Sequence, residues 1–455
     1  MTILFDIFPA TGHYNASFAI AAGLKSAGHR VVYCGDGGFE QIITEKGLKF
    51  VPSCSRFILP DKYQFLNKGF ALIAECFKSM LTQSRQKQII KNAYDFKDVV
   101  KGIAPDFVVL DAHLSIKSIV YRQLEIPLIL LETMPLSFPD PYVPPFTSAF
   151  IPTGSQLSFF WINCLWRKLV LKRKFFNIFN AMLFFGQDFQ SLHRKLANLL
   201  NFSLQGRIDI KRPFVTGIKG MKTLATVPSC FDFPRKYLPD CYFTESGIDV
   251  SRDEIIVNKR YLKLIEIFRQ FKQKQSNTRL IYCSLGTVSS DSGNRHEIFF
   301  KKIKKLCLRH PAYIFVLSTG ACSIANLLPL PSNMYIFRHL PQMDILKHCD
   351  LMITHGGMNS IAECIWNEIP MLVLPLSYKW DQPGNSARVV YHGLGLRGSI
   401  RNDTVCQFEK KIHCILRDYS FYKQRLSLMK LKMYPQNDVV PAWWKLFDLL
   451  KEKVA

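Results

Sequence analysis

Two Rossmann-like α/β domains, each a doubly wound parallel sheet, are what this sequence predicts, and three observations carry the prediction. The chain has 455 residues, more than one ordinary core accommodates. Short apolar runs alternate with helix-period segments through both halves, the pattern of parallel strands joined by helices. A proline-broken stretch separates the two series. Hydrophobic residues are 48% and charged residues 21% of the chain, the composition of a globular protein with ample core material; disorder is excluded.

The elements follow in order. Ile3 to Phe8 reads as a first strand, with neither the basic n-region nor the small-residue cleavage site of a signal peptide. Asn15 to Ala27 has helical spacing and stops at Gly28. Arg30 to Cys34 is a second strand closed by Gly35-Asp36-Gly37-Gly38, Phe39 to Lys46 a short helix, and Phe50-Val51 a third strand. Phe107 to Leu110 and Leu128 to Leu131 are further strands of this half. Pro141 to Gln187 differs: it has no Asp or Glu, carries Arg167, Lys168, Lys172, Arg173 and Lys174, and is dense in Phe and Trp. Two readings of it stay open. It forms helices packed on the sheet with solvated basic faces, or its 155–185 portion is a surface for peripheral membrane contact or for an apolar substrate.

Leu224 to Asp253, interrupted by Pro228, Pro234 and Pro239, is the transition. Strands then recur at Leu280 to Cys283, Tyr313 to Leu317, Met334 to Phe337, Leu351 to Thr354 and Met371 to Leu374. We therefore expect domains over 1–235 and 236–430, and a terminal helix in 431–455, beginning at Pro441, that packs back on the first domain.

No stretch reaches the roughly 18 uninterrupted apolar residues of a spanning helix. Thirteen cysteines are scattered without a C-x-x-C pair or a His-Cys cluster, which reads as reduced thiols of a cytoplasmic protein and predicts no metal site. The formal charge of +24 favours anionic partners, among them nucleotides, nucleic acid and acidic lipid headgroups. No recognition motif, zinc module or RNP-like strand supports nucleic acid, and none is expected as a partner.

The most informative segment is His355-Gly356-Gly357-Met358-Asn359-Ser360, between the apolar runs Leu351-Met352-Ile353 and Met371 to Pro375. It reads as strand, tight turn, helix, strand. Two glycines let a backbone approach a ligand closely, and a helix opening at Asn359-Ser360 aims N–H groups and its dipole at negative charge. His355 at the lip adds a charge-assisted hydrogen bond to a phosphate. Taken alone, the segment fits a plain glycine corner equally well. Neither half has G-x-G-x-x-G after its first strand, which disfavours nicotinamide and flavin enzymes, and no G-x-x-x-x-G-K-[ST] is present, which removes P-loop NTPases.

Phe337-Arg338-His339-Leu340-Pro341-Gln342-Met343-Asp344-Ile345-Leu346, then Thr354 through Glu363, then Pro370 and Asp381-Gln382, resembles the nucleotide-sugar signature of the UDP-glycosyltransferases. These are family-1 glycosyltransferases of the GT-B fold, here of the bacterial MGT-like or natural-product type. Gly12-His13, Gly28-His29-Arg30-Val31 and Ser284-Leu285-Gly286-Thr287 also fit, so the resemblance reaches both domains, facing each other across a cleft.

The resemblance implies roles that physical need supports. His13 would be the base for an acceptor hydroxyl, since imidazole titrates near working pH, and Asp111 would hold its other nitrogen. His355, Gly357 and the N–H groups of Asn359 and Ser360 would hold the diphosphate, with Ser284 and Thr287 adding donors. Glu363 would accept from the ribose, His339, Leu340 and Gln342 would lie by the base, and Asp381-Gln382 would read the sugar hydroxyls. His113, Met134 and Phe138 would line the acceptor cleft. Two positions depart from the family pattern: His339 stands where many relatives have tryptophan, and Ala16 where many have proline. The implied activity is inverting and metal-independent, needs no cofactor, and moves a hexose, glucose by default, from a UDP-sugar to a hydroxyl of a small apolar or lipid-like acceptor. It would take place in the cytoplasm, with the inner membrane face as a peripheral site. A nucleotide-sugar epimerase of the same fold and a non-catalytic nucleotide-sugar-binding protein are the alternatives.

Overall fold

The computed structural model describes residues 1–53, 69–202, 204, 207–208, 212, 218–237, 241–244, 258–274, 277–286, 294–320, 322 and 327–434. Its strands are β1 (Thr2–Asp6), β2 (Arg30–Gly35), β3 (Lys49–Pro52), β4 (Phe107–Asp111), β5 (Leu128–Glu132), β6 (Thr223–Ala225), β7 (Cys241–Phe243), β8 (Arg279–Ser284), β9 (Tyr313–Ser318), β10 (Met334–Phe337), β11 (Leu351–Thr354), β12 (Met371–Val373) and β13 (Gly395–Arg397). They form two parallel sheets, in the orders β3-β2-β1-β4-β5-β6-β7 and β10-β9-β8-β11-β12-β13. Two Rossmann-like layers are thus present, as expected.

Both faces of each sheet are covered, which is why the strands read as nearly continuous apolar runs. In β1, Ile3 and Phe5 enter one core and Leu4 the core on the opposite face. In β8, Ile281 and Cys283 face one way and Leu280 and Tyr282 the other. This is the period-2 alternation of a strand buried on both sides. In both sheets the strand order reverses once, between β1 and β4 and between β8 and β11. At such a reversal the connections leave toward opposite faces, and the carboxyl ends of the two neighbouring strands border an open crevice.

Three strands escaped the sequence reading. Thr223–Ala225, Cys241–Phe243 and Gly395–Arg397 have three residues each, too short for a periodicity to register. Strand β7 pairs in the first sheet, so that sheet runs past the boundary expected at 235. The first helix is Thr11–Ser26, which begins ahead of the expected Asn15 and places His13 in its first turn. Ala16 is buried inside that helix, where an alanine favours the ladder and a proline would break it. The terminal helix expected in 431–455 falls mostly outside the described residues; what is described is the end of the helix Tyr419–Met433.

The domains meet along the helix Gln382–Tyr391. A Cβ at Gly384 would collide with the Phe146 carbonyl oxygen, so only glycine permits this approach. Arg388, fully buried, donates through Nε and Nη2 to Asp232, at 3.0 and 2.5 Å. Asp232 also takes Arg235 Nε at 2.9 Å, and the two guanidinium groups hold its carboxyl below its ordinary range despite burial. Removing one partner of such a pair leaves a buried charge short of compensation. Arg388→Met is therefore expected to destabilise the protein by about 3 kcal/mol, read as a lower denaturant midpoint; an unchanged midpoint would show that the pair contributes nothing net.

Candidate active site

In the first domain the site forms at the β1–β4 reversal. After β1 the chain turns tightly, with Ala10 N donating to Phe8 O at 2.7 Å and His13 N to Ala10 O at 2.9 Å. The turn delivers His13 to the end of β4, where Asp111 is fully buried. His13 Nδ1 lies 2.7 Å from Asp111 Oδ2 and 2.9 Å from Thr133 Oγ1. The other carboxylate oxygen, Oδ1, accepts from His113 twice, from its backbone N at 2.9 Å and from its ring Nδ1 at 3.2 Å. One carboxylate thus orients two imidazoles, whose rings meet edge-on at 4.9 Å, both beside Phe8.

Electrostatics follow from that geometry. Burial disfavours a charged His13, but the Asp111 charge and hydrogen bond, with a further contribution from Asp381, outweigh it, and the imidazole titrates above its ordinary 6.5. Burial likewise disfavours an ionised Asp111, yet the two histidines hold its carboxyl well below the usual range. His13, Asp111 and His113 also form a group close enough to share a metal ion; the hydrogen bonds among them already account for the arrangement.

In the second domain the site forms at the β8–β11 reversal. Thr354 pairs with Ser284, so the loop after β8 lies against the turn after β11. His355 is wedged between their glycines. A Cβ at Gly286 would run into ring carbon Cε1, and one at Gly357 would stand 2.6 Å from Nε2. Gly286 and Gly356 also have φ of +72° and +88°, where L side chains are strained. The glycines thus serve the histidine as much as any ligand. Burial, reinforced by nearby His296, pushes the His355 imidazole down to about 4, against a backbone hydrogen bond at Ser284. The ring by itself is therefore neutral at pH 7, and the donor it presents before an anion binds is uncharged. Gly357 caps the helix Met358–Trp366 with no side-chain hydrogen bond to its N-terminus, whereas Ser155, Asp188 and Thr404 each cap theirs.

The remaining expected residues divide. Gln342 donates to Glu363 Oε2 at 2.6 Å and Ser360 Oγ at 3.1 Å and accepts from Tyr282 at 3.2 Å; Glu363 is buried. Gln342 therefore positions these neighbours with most of its amide already engaged. Leu340 packs on the core, and His339 is exposed. Gln382 spends its carbonyl on the backbone N–H groups of Leu376 and Ser377, at 2.8 and 2.9 Å. Asp381 accepts from Asn385 Nδ2 at 2.7 Å, and burial raises its carboxyl despite that bond. Met134 is buried beside Thr133. The Phe138 ring lies under Arg212, 3.9 Å from its guanidinium, and so supports the loop. Thr287 lies outside the described residues.

Sequence reasoning missed three residues. Thr133 is the second partner of His13, and its only signal is its place just after β5. Asn385 donates to Gly356 O at 2.9 Å as well as to Asp381, tying the glycine turn to the Asp381 loop. Trp380 brings its ring to 6.5 Å from His113. The two clusters face each other: Asn359 Nδ2 donates to Gly12 O at 3.1 Å.

Comparison with known proteins identifies relatives of this chain. The model of the family described as UDP-glucoronosyl and UDP-glucosyl transferase matches residues 61–438. A zeaxanthin glucosyltransferase of Pantoea ananas is 30% identical over 43% of this chain, and the match spans only 42% of that relative's own length. An uncharacterized UDP-glucosyltransferase of Bacillus subtilis, YojK, is 23% identical over 81% of this chain and 78% of its own. The glycotransferase of kitacinnamycin superposes over 100% of this chain and 98% of its own with a TM-score of 0.66 at 19% identity, a likeness of fold.

An NMR titration checks the wedged histidine. The His355 ring should titrate near 4, and Gly286→Ala should displace it and raise that value toward 6.5; an unchanged value in the variant would show that Gly286 does not hold the ring.

Proposed function

This chain belongs to the UDP-glucoronosyl and UDP-glucosyl transferase family, and we propose that it moves a hexose, glucose in the first instance, from a UDP-sugar to a hydroxyl of a small apolar or lipid-like acceptor. The observation that carries the reading is the His13–Asp111 bond of 2.7 Å opposite Asp381, whose charge His13 senses across the cleft. With Nδ1 committed to Asp111, Nε2 of His13 is left to take the acceptor's proton. The acceptor oxygen then attacks the anomeric carbon as the bond to the diphosphate breaks, one displacement with inversion. The leaving diphosphate falls to neutral His355 and the N-terminus of the helix Met358–Trp366. Glu363 takes the ribose, and Asp381 with the amide nitrogen of Gln382 takes the sugar hydroxyls. The donors described require no metal.

The zeaxanthin enzyme's name supports an apolar hydroxylated acceptor as the class to try first. We place the reaction in the cytoplasm, with the inner membrane face as a peripheral site for a lipid-like acceptor. The direct test is a mass-spectrometric screen of UDP- and TDP-sugars against lipid and phenolic acceptors. Sugar appearing on an acceptor hydroxyl supports the reading. An epimerised sugar without acceptor, or donor binding without turnover, sinks it.

The assigned roles carry three predictions. His13→Ala should lower kcat by about 100- to 10,000-fold with the affinity for UDP retained. Asp111 raises the His13 pKa, and only the neutral ring is a base, so kcat/KM should climb with pH through a value above 6.5 and then level. Asp111→Asn should shift that limb to lower pH while reducing the plateau; a limb that stays in place would remove Asp111 from the role. Chelation with EDTA should leave the wild-type rate unchanged, and loss of activity restored by added metal would overturn metal independence.

A further inference from the structure

The helix Gln156–Leu183 is continuous over 28 residues, and its two sides are unlike. Ser158, Ile162 and Trp166 are buried on one side; the Trp166 indole donates to Val143 O at 2.9 Å, and Arg173 bonds the Arg212 carbonyl. The first contact pins the helix to the loop that starts at Thr133, and the second ties it to the chain at Arg212. The opposite side carries Leu157, Trp161, Leu171, Phe175, Ile178 and Met182, each between 51% and 73% exposed. Spacings of four, three and four residues from Leu171 through Phe175 and Ile178 to Met182 set these four on one face. An apolar seam of this length on a soluble surface marks an interaction site. Beside it stand the exposed cations Arg167, Lys168, Lys172 and Lys174, and no Asp or Glu occurs from Pro141 to Gln187.

We propose that this helix docks the protein on an anionic bilayer, lying in the headgroup layer with the seam facing the acyl chains. Charge selects this occupant. A helix in the interface buries its apolar face and keeps Lys and Arg among the anionic headgroups. Those cations in mid-helix are too costly for a spanning segment, and among the described residues no helix is long and apolar enough to cross a membrane. A second copy would set the same cations against one another with no acidic residue on the seam to offset them. Nucleic acid would leave Leu, Ile and Met without the stacking that single strands seek. The proposal goes beyond the transfer reading and needs neither donor nor acceptor, so each can fail alone. Where both hold, the docked helix brings to the lipid surface the loop that begins at Thr133, the partner of His13.

The test is flotation of the full chain with vesicles of phosphatidylcholine alone and with about 30% phosphatidylglycerol. The protein should float with the anionic vesicles and bind the neutral ones at least about tenfold more weakly. Phe175→Glu with Ile178→Glu, and separately Lys168→Glu with Lys172→Glu, should each reduce anionic binding about tenfold or more, with thermal midpoints unchanged because these side chains are exposed. Failure of the wild type to float, or equal binding to neutral vesicles, overturns the proposal. So does a wild-type result from either folded double variant. A dimer in solution that Ile178→Glu separates, without vesicle binding, would make the seam a self-association surface and likewise overturn it.

Discussion

The reversal of strand order, once in each sheet, is the constraint on which everything functional here depends. Parallel strands need crossover helices, and where successive crossovers pass to opposite faces the strand ends between them are left uncovered. Nothing in the first sheet places His13 and Asp111 together except the adjacency of β1 and β4. The same holds for Ser284 and His355 at the ends of β8 and β11. Were either sheet wound in one direction only, a helix would fill the crevice. The functional residues sit far apart in sequence because each arrives on a different strand.

Burial alone would neutralise every ionisable group in this cleft; what distinguishes the groups is the company each keeps. Asp111 is fully buried and Asp381 partly so, and burial raises both carboxyls, yet the two move in opposite directions. Asp111 has two imidazoles bonded to it and a backbone N–H, whereas Asp381 has the Asn385 amide and a backbone hydrogen bond, with the histidines only at a distance. His13 and His355 divide in the same way, the first raised by a carboxylate and the second lowered by burial and another histidine. Two groups of one chemical type pushed apart by environment is the condition for separate roles in one reaction. The charge state then follows from topology, since the strand ends decide which partner each group meets.

The other strands were legible because a sheet covered on both faces demands long apolar runs, and the glycine-histidine segment was legible because its spacing is stiffly set. Strands β6, β7 and β13 were not, because each has three residues and, unlike the equally short β12, no apolar run carries on past it. Strand β7 had a second obstacle: the proline-rich stretch suggested a linker, and the strand lies inside it. At the site, Asp381 and Gln382 were readable as a pair, but the loss of the Gln382 carbonyl to its own loop was not. Thr133, Asn385 and Trp380 act through contacts between segments far apart in the chain, and no local pattern announces them. The helix Gln156–Leu183 left its two readings open because its seam shows only once the opposite side is known to be buried.

The neutral state of His355 bears on how an anionic donor would be held. A formal charge of +24 draws anions toward the surface over long range, and a fixed cation at the phosphates would add to that pull. A cation that must remain desolvated is costly, however, and one that binds the diphosphate strongly also retains it after transfer. A neutral imidazole wedged between Gly286 and Gly357, beside a helix end that no side chain caps, offers oriented donors without that cost. Attraction and recognition are then carried by different parts of the molecule. The dispersed surface charge gathers the ligand, and short-range geometry at the second strand reversal selects it. The close packing around the ring is what keeps that donor aimed, so the glycines matter here for the space they leave to a side chain. A glycine motif of this kind is a statement about a histidine's position before it is one about a phosphate.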